Sequence, residues 1–356
     1  MSDYTKLFER ASARIQTPAL PLEGMLRRRD RKRRNQRLVA GVVGIAVAVV
    51  AIAAGTSIIR SSPKLPATPP QVHNGDITFV TGGGIAGVSA SGTQDPLVLQ
   101  CCNPSGGWIQ GADWSPDGSR FAYGISSRQH EGIPMGVHVF EVGTGETRRL
   151  SHASVQSIDW SPDGSKIAYS DFSAINIVAA DGSDRTTMWP EGGDGTVADP
   201  SWSANGTKIA YTVYGRSNGR GSLQGAVHVV DVFGRTDRVI ATAMDGPLKS
   251  PAWSPDGSKI AFIDGCGIWE VSSSGSGRTL LTHIDDCRAL GTDVGDAGFS
   301  DAAQLVWSPD GTQLAFNLQG GAASFPLYLM QADGTRLRAL PVPPGAAPPI
   351  AWQPVP

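Results

Sequence analysis

The chain has 356 residues, among them 44 Gly and 25 Pro, with 40 % hydrophobic and 7 % aromatic residues and a formal net charge of −2. This length can bury a sizeable core, and the glycine and proline point to a turn-rich β domain, excluding a fibrous or charge-dominated disordered chain. The near-neutral total hides an asymmetry: residues 1–37 carry 11 Lys/Arg against 4 Asp/Glu, or +7, and the remainder carries 19 against 28, or −9.

The first 37 residues are too few for a core of their own. Tyr4, Leu7, Phe8, Ala11 and Ile15 fall near helical spacing, which predicts a short amphipathic helix before Pro18 and Pro21. The run Arg27-Arg-Arg-Asp-Arg-Lys-Arg-Arg34 and Arg37 then lead into Leu38–Ile59, an uncharged stretch. As a helix that stretch is about 33 Å long, against about 30 Å for a bilayer core. Basic residues directly before it put the N-terminus in the cytoplasm and everything after it outside. A cleaved signal peptide is the other reading, with Ala51-Ile-Ala53 as its cleavage site, but the apolar run and the leader are both long for one. Beside a membrane span, the basic run is explained by topology and anionic lipid, so no nucleic-acid partner is expected. Ala40, Gly44, Ala48, Ala51 and Gly55 can share one helix face, as in a dimerising span, or simply reflect an Ala-rich composition. Residues 60–72, with Pro63, Pro66, Pro69 and Pro70, read as a stiff spacer.

From residue 73 to the end the chain repeats one phrase. Trp114-Ser-Pro-Asp-Gly-Ser-Arg-Phe-Ala-Tyr123 returns from Trp160, Trp202, Trp253 and Trp307, and a truncated copy starts at Trp352; the Trp-to-Trp spacings are 46, 42, 51, 54 and 45 residues. Each copy reads strand, tight turn, strand: Pro presets φ, Asp bonds its own backbone and Gly takes the left-handed position. Two more strand-like runs follow in most repeats, as in Ala174–Ala180 and Thr186–Trp189. Four short strands per unit of this period is the arithmetic of a propeller blade. Before Trp114 there is room for only three strands, near Ile77–Thr81, Gly84–Ala90 and Pro96–Leu99, while Ala347–Trp352 is an inner strand with nothing after it. The expected fold is therefore all-β, a six-bladed β-propeller whose first blade is completed by the C-terminal strand, preceded by one transmembrane helix. Its expected organisation is a basic cytoplasmic tail (1–37), a span (38–59), a linker (60–72) and the propeller (73–356).

The Trp-Ser-Pro-Asp-Gly-x-x-Ile-Ala-Tyr/Phe phrase resembles the WD40-like (PD40) repeat of TolB-type six-bladed β-propellers, also seen in the propellers of prolyl-oligopeptidase-like enzymes. The resemblance implies a binding or scaffolding platform and transmits no reaction. Blade four departs from it, with Ala204-Asn205 in place of Pro-Asp, and its Asn205-Gly-Thr207 matches a glycosylation acceptor but is read as turn chemistry. The tail's Leu-Phe-Glu-Arg start and its basic run into the span resemble the cytosolic tails of single-span proteins of high-GC Gram-positive bacteria, some of them anti-sigma factors. That likeness implies a cytosolic partner for residues 1–37.

No catalytic signature is found: no Gly-x-Ser-x-Gly elbow, no His-Glu-x-x-His, no phosphate-cradling loop before a helix. The chain is read as a non-enzyme without cofactor or resident metal. The long connection from His283 to Ala302 carries Asp285, Asp286, Asp293, Asp296 and Asp301, hard ligands that suit Ca²⁺, but without EF-hand spacing it reads as a solvated acidic loop. Of the four cysteines, Cys266 and Cys287 sit at strand ends that a hairpin brings together, so a disulfide between them is expected. Cys101 and Cys102 are adjacent, and both a vicinal disulfide and two separate thiols stay open.

Loop lengths divide the propeller's rims. The turns after strands one and three are short and uniform, whereas Ser126–Met135, Tyr214–Gln224, Leu318–Ser324 and the blade-to-blade connections vary. Variable loops on a rigid scaffold are where binding concentrates. A protein, peptide or glycan partner is thus expected at the variable rim, with Arg128, His130, Glu131, Trp189, Glu191, Tyr214, Arg216 and Arg220 as candidate contacts. The alternative is a transmembrane regulator in which ectodomain binding changes what the tail holds.

Overall fold

The computed structural model describes residues 73–81, 84–99, 109–125, 134–188, 195–214, 225–232, 236–244, 248–284, 303–317, 326–342 and 347–355. They form six four-stranded antiparallel sheets. Five are consecutive meanders, with inner strands Ile109–Trp114, Ser157–Trp160, Thr196–Trp202, Leu248–Trp253 and Gln304–Trp307. In the sixth, Ala347–Val355 is the inner strand and pairs with His73–Thr81, which Gly84–Val88 and Gln94–Leu99 follow. The six-bladed propeller and its closure by the C-terminal strand are as the repeat count requires. The basic tail, the 38–59 span and the linker lie outside the described residues; among those described, no helix is long and apolar enough to cross a membrane.

Closure keeps the repeat's own register. Trp114 pairs with Phe121, Trp160 with Ile167, Trp202 with Ile209, Trp253 with Ile260 and Trp307 with Leu314. Across the seam Trp352 pairs with Ile77 in the same way. Ile77-Thr-Phe79 is thus the tail of a phrase whose head lies at the other end of the chain. Closure gives both chain-terminal strands of the ring a partner, so neither Ala347–Val355 nor His73–Thr81 is left as a lone strand.

The phrase folds as its residues dictate. In blade three, Ser161 Oγ donates to Asp163 Oδ1 at 2.6 Å, Ser165 N–H donates to the same oxygen at 3.0 Å, and Lys166 N–H donates to Ser161 Oγ at 2.9 Å. These bonds, from Ser161 first, hold the Asp163 carboxyl below its ordinary range. Gly164 closes the turn at φ 68°, where a side chain would be strained. Blade four keeps the same geometry despite Ala204-Asn205: Gly206 has φ 67°, and Asn205 Oδ1 stands in for the carboxylate. The acceptor-like sequence there is built into the turn.

The core lies between blades. Trp160 packs with Ala122 of blade two, Trp202 with Ala168 of blade three, Trp253 with Ala210 of blade four and Trp352 with Ala315 of blade six. The large indole needs a small partner on the facing strand, which is why the phrase carries Ala as its penultimate residue. Blade one has Thr78 in that place, and Trp114 Nε1 donates to its hydroxyl at 3.0 Å. Facing alanine instead, the buried Nε1 atoms of Trp160, Trp202 and Trp253 have no hydrogen-bond partner among the described residues. The inner strands of blades two and three approach so closely that a Cβ on Gly111 would lie 2.6 Å from Ser157 Cα.

Candidate functional site at the channel mouth

The six inner strands surround a central cavity of about 410 Å³. It lies at the phrase end of the channel, because the first turn residues line it: Pro116, Pro162, Pro255, Pro309 and Pro354, with Ala204 replacing proline in blade four. Above this collar the wall is set by two inner-strand positions, the residue directly before each Trp and the residue three before it.

The position before Trp differs around the ring. It is Asp113, Asp159 and Ser201 in blades two to four, and Ala252, Val306 and Ala351 in blades five, six and one. Each polar side chain of the first set grips the next blade. Asp113 Oδ2 accepts from Trp160 N–H at 2.8 Å, Asp159 Oδ2 from Trp202 N–H at 2.6 Å and Ser201 Oγ from Trp253 N–H at 3.1 Å. In the second set, Trp307 Nε1 instead donates to the Ala252 carbonyl at 3.0 Å.

The upper position makes a second set of stitches. Ser157 Oγ accepts from Asp199 N–H at 2.8 Å and Asp199 Oδ2 from Ser250 N–H at 3.0 Å. Ser250 Oγ accepts from Leu305 N–H at 2.9 Å and Gln304 Oε1 from Ile350 N–H at 2.6 Å. Asp199 and Ser250 both sit in the left-handed region, at φ 53° and 48°, next to register shifts in their strands. The bulge bends each strand so that its side chain reaches the following blade.

Three carboxyls thus line one arc of the cavity. Burial pushes Asp113 up to about 7, against the lowering effect of its bonds to backbone N–H groups. Burial raises Asp159 well above the ordinary carboxylate range, and the charge of Asp113 adds to it. Asp199 is also raised by burial, partly offset by the Ser250 N–H, Lys249, Thr212 and Tyr214. Among the described residues lining the cavity there is no lysine or arginine. The acid arc faces a neutral one made of Ala252, Leu305, Val306 and Ile350. Among the described residues, no group of three or more His, Cys, Asp or Glu is placed to hold a metal ion.

Of the eight candidate contacts, only Tyr214 is among the described residues. It is 5 % exposed and its hydroxyl bonds to Asp199, so it braces the channel wall and offers no surface to a rim. Arg128, His130, Glu131, Trp189, Glu191, Arg216 and Arg220 lie outside the described residues, as do Cys101, Cys102, Cys287 and the five aspartates of the 285–301 stretch. Cys266 is disulfide-bonded. The channel residues were not among the candidates, although the sequence carries their signal. Aligning the phrases on Trp shows a constant Trp preceded by a residue that changes from Asp to Ser, Ala and Val.

Comparison with known proteins places this architecture. Residues 203–319 match the family model of the dipeptidyl peptidase IV (DPP IV) N-terminal region. No curated protein matches the chain by sequence. Among solved structures, a chain of the nidogen/laminin complex superposes with a TM-score of 0.60 at 12 % identity, over 78 % of this chain and 98 % of that one. TolB from Acinetobacter baumannii superposes with a TM-score of 0.59 at 16 % identity, over 78 % of this chain and 66 % of that one. The fold is a TolB-like six-bladed β-propeller.

Proposed function

We propose that the chain is a membrane-anchored propeller, displayed outside the cytoplasm, that binds a partner protein without chemistry. The partner enters the phrase-end mouth of the channel with a lysine or arginine side chain. The observation that carries this reading is the cavity itself: acid on one arc, neutral on the other, with no cation among its described lining residues. A basic side chain seats its charge at Asp113 and Asp159 and lays its methylene stem along Leu305, Val306 and Ile350. Lys249 already offsets Asp199, which leaves Asp113 and Asp159 as the uncompensated pair. The chain's uncharged 38–59 run behind a basic tail supports the anchor, and the disulfide at Cys266 suits an oxidising compartment. The nidogen/laminin complex is an instance of this fold within a protein assembly.

The test uses the full chain in lipid nanodiscs and tryptophan emission, since Trp160, Trp202, Trp253, Trp307 and Trp352 line the site. Two end-blocked five-residue peptides are titrated, one with a central lysine and one with acetyl-lysine. The lysine peptide should bind at least about tenfold tighter, about 1.4 kcal/mol, and is recovered uncleaved. Asp159→Asn should erase the difference. Equal binding of both peptides overturns the cation; binding of neither overturns the channel as the site.

A further inference from the structure

Blade four is the one full phrase that carries asparagine where the others carry Asp117, Asp163, Asp256 and Asp310. Asn205 is exposed and is followed by Gly206, which has no Cβ to obstruct its own backbone nitrogen. We infer that Asn205 is a site of self-catalysed deamidation, that the folded turn holds the reaction off, and that its aspartate product is the residue this turn is built for.

The chemistry needs only water. The Gly206 nitrogen attacks Asn205 Cγ, the Cγ–Nδ2 bond breaks, and ammonia leaves with the proton that Gly206 gives up. The resulting five-membered imide is opened by water. Opening at the former side-chain carbonyl gives aspartate, and opening at the main-chain carbonyl gives isoaspartate, which lengthens the backbone by one carbon.

In the folded turn both reacting groups are occupied. Gly206 N–H donates to the Ser203 carbonyl at 2.8 Å. Asn205 Oδ1 accepts from Ser203 Oγ at 2.9 Å, Thr207 N–H at 3.1 Å and Thr207 Oγ1 at 2.8 Å. Ser203 Oγ in turn accepts from Lys208 N–H at 2.9 Å. For the nitrogen to reach Cγ this set must open together, so the reaction proceeds through the locally unfolded fraction.

The product has a template in four sister turns. In blade five, Asp256 Oδ1 accepts from Ser254 Oγ at 2.6 Å, Ser258 N–H at 2.9 Å and Ser258 Oγ at 2.9 Å. Aspartate at 205 takes over the same three donors with a charge, which strengthens them. It also adds a negative charge beside Ala204 on the channel collar. Isoaspartate has no such template, because its extra backbone carbon displaces the acceptor from Thr207 N–H.

The test incubates the full chain at neutral pH, folded and in denaturant, and follows deamidation by peptide mapping. Mapping separates Asn205 from the chain's other Asn-Gly pairs, Asn74-Gly75 and Asn218-Gly219. At Asn205 the folded chain should react at least about tenfold more slowly, as loss of several coupled hydrogen bonds requires. Independently, Asn205→Asp should melt at or above the wild-type temperature. Equal rates in the two states overturn the protection, and a variant that melts several degrees lower overturns the fit of the product.

Discussion

The two halves of the propeller ring solve one packing problem with different chemistry. Around blades two to four, Asp113, Asp159 and Ser201 tie each inner strand to the next through a side-chain oxygen. Around blades five, six and one the same position holds Ala252, Val306 and Ala351, whose side chains make no such bond; at Ala252 only the main-chain carbonyl is engaged, by Trp307 Nε1. The six tryptophans occur on both sides, as does the Ser-Pro-Asp-Gly turn of blades two, three, five and six, so the carboxyls are not required for a blade to form. Burying them carries a desolvation cost that the neutral arc avoids. What they add is a wall of titratable carboxyls in a cavity, which a bound cation would draw into the charged form, and a feature that is costly and dispensable to the scaffold is where a function should be sought.

The strongest way to break this comparison is to force acid into the neutral arc. Ala252 is 8 % exposed and shares its arc with Leu305, Val306 and Ile350, so a carboxylate there is buried against an apolar wall. Ala252→Asp should cost about 3 kcal/mol or more in urea unfolding at pH 8, and a loss within error would show that the arc tolerates charge anywhere.

A second way is to titrate the acid arc. The folded-state pKa of Asp113, about 7, lies above its ordinary 3.8. Between those values the folded chain keeps a proton that the unfolded chain releases, so its contribution to stability is greatest at low pH. That contribution should fall by about 1.4 kcal/mol per pH unit at most through the window and level off above it. Asp113→Asn should flatten the profile of unfolding midpoints against pH. An unchanged slope in the variant would assign the titration elsewhere.

The smallest change sharpens the contrast between blade one and the rest. Thr78→Ala gives blade one the alanine found on the second strand of the other five and leaves Trp114 Nε1 without its acceptor. The expected loss is about 1 kcal/mol in thermal or urea unfolding. No loss would mean that the unpaired indoles of blades three to five cost nothing.

Particular residues show how far the sequence reached. Trp352 and Ile77 announced closure, because one begins a phrase that the other completes, and their pairing follows. Asn205 could be read as turn chemistry because any side-chain carbonyl at that offset meets the same donors. Tyr214 could not be placed: it ends a strand before a variable loop, and only the bulged inner strand beside it, with Asp199 at φ 53°, turns its hydroxyl into the channel wall. Asp113 and Asp159 look like ordinary polar strand residues in one dimension. They become neighbours only when blade two docks on blade three and brings two positions 46 residues apart to one axis. The local phrase therefore determined blade, count and turn, since those depend on contacts within a few residues. The acid and neutral arcs, the cavity between them and the raised carboxyls were decided by tertiary structure, because burial and charge proximity are properties of the closed ring.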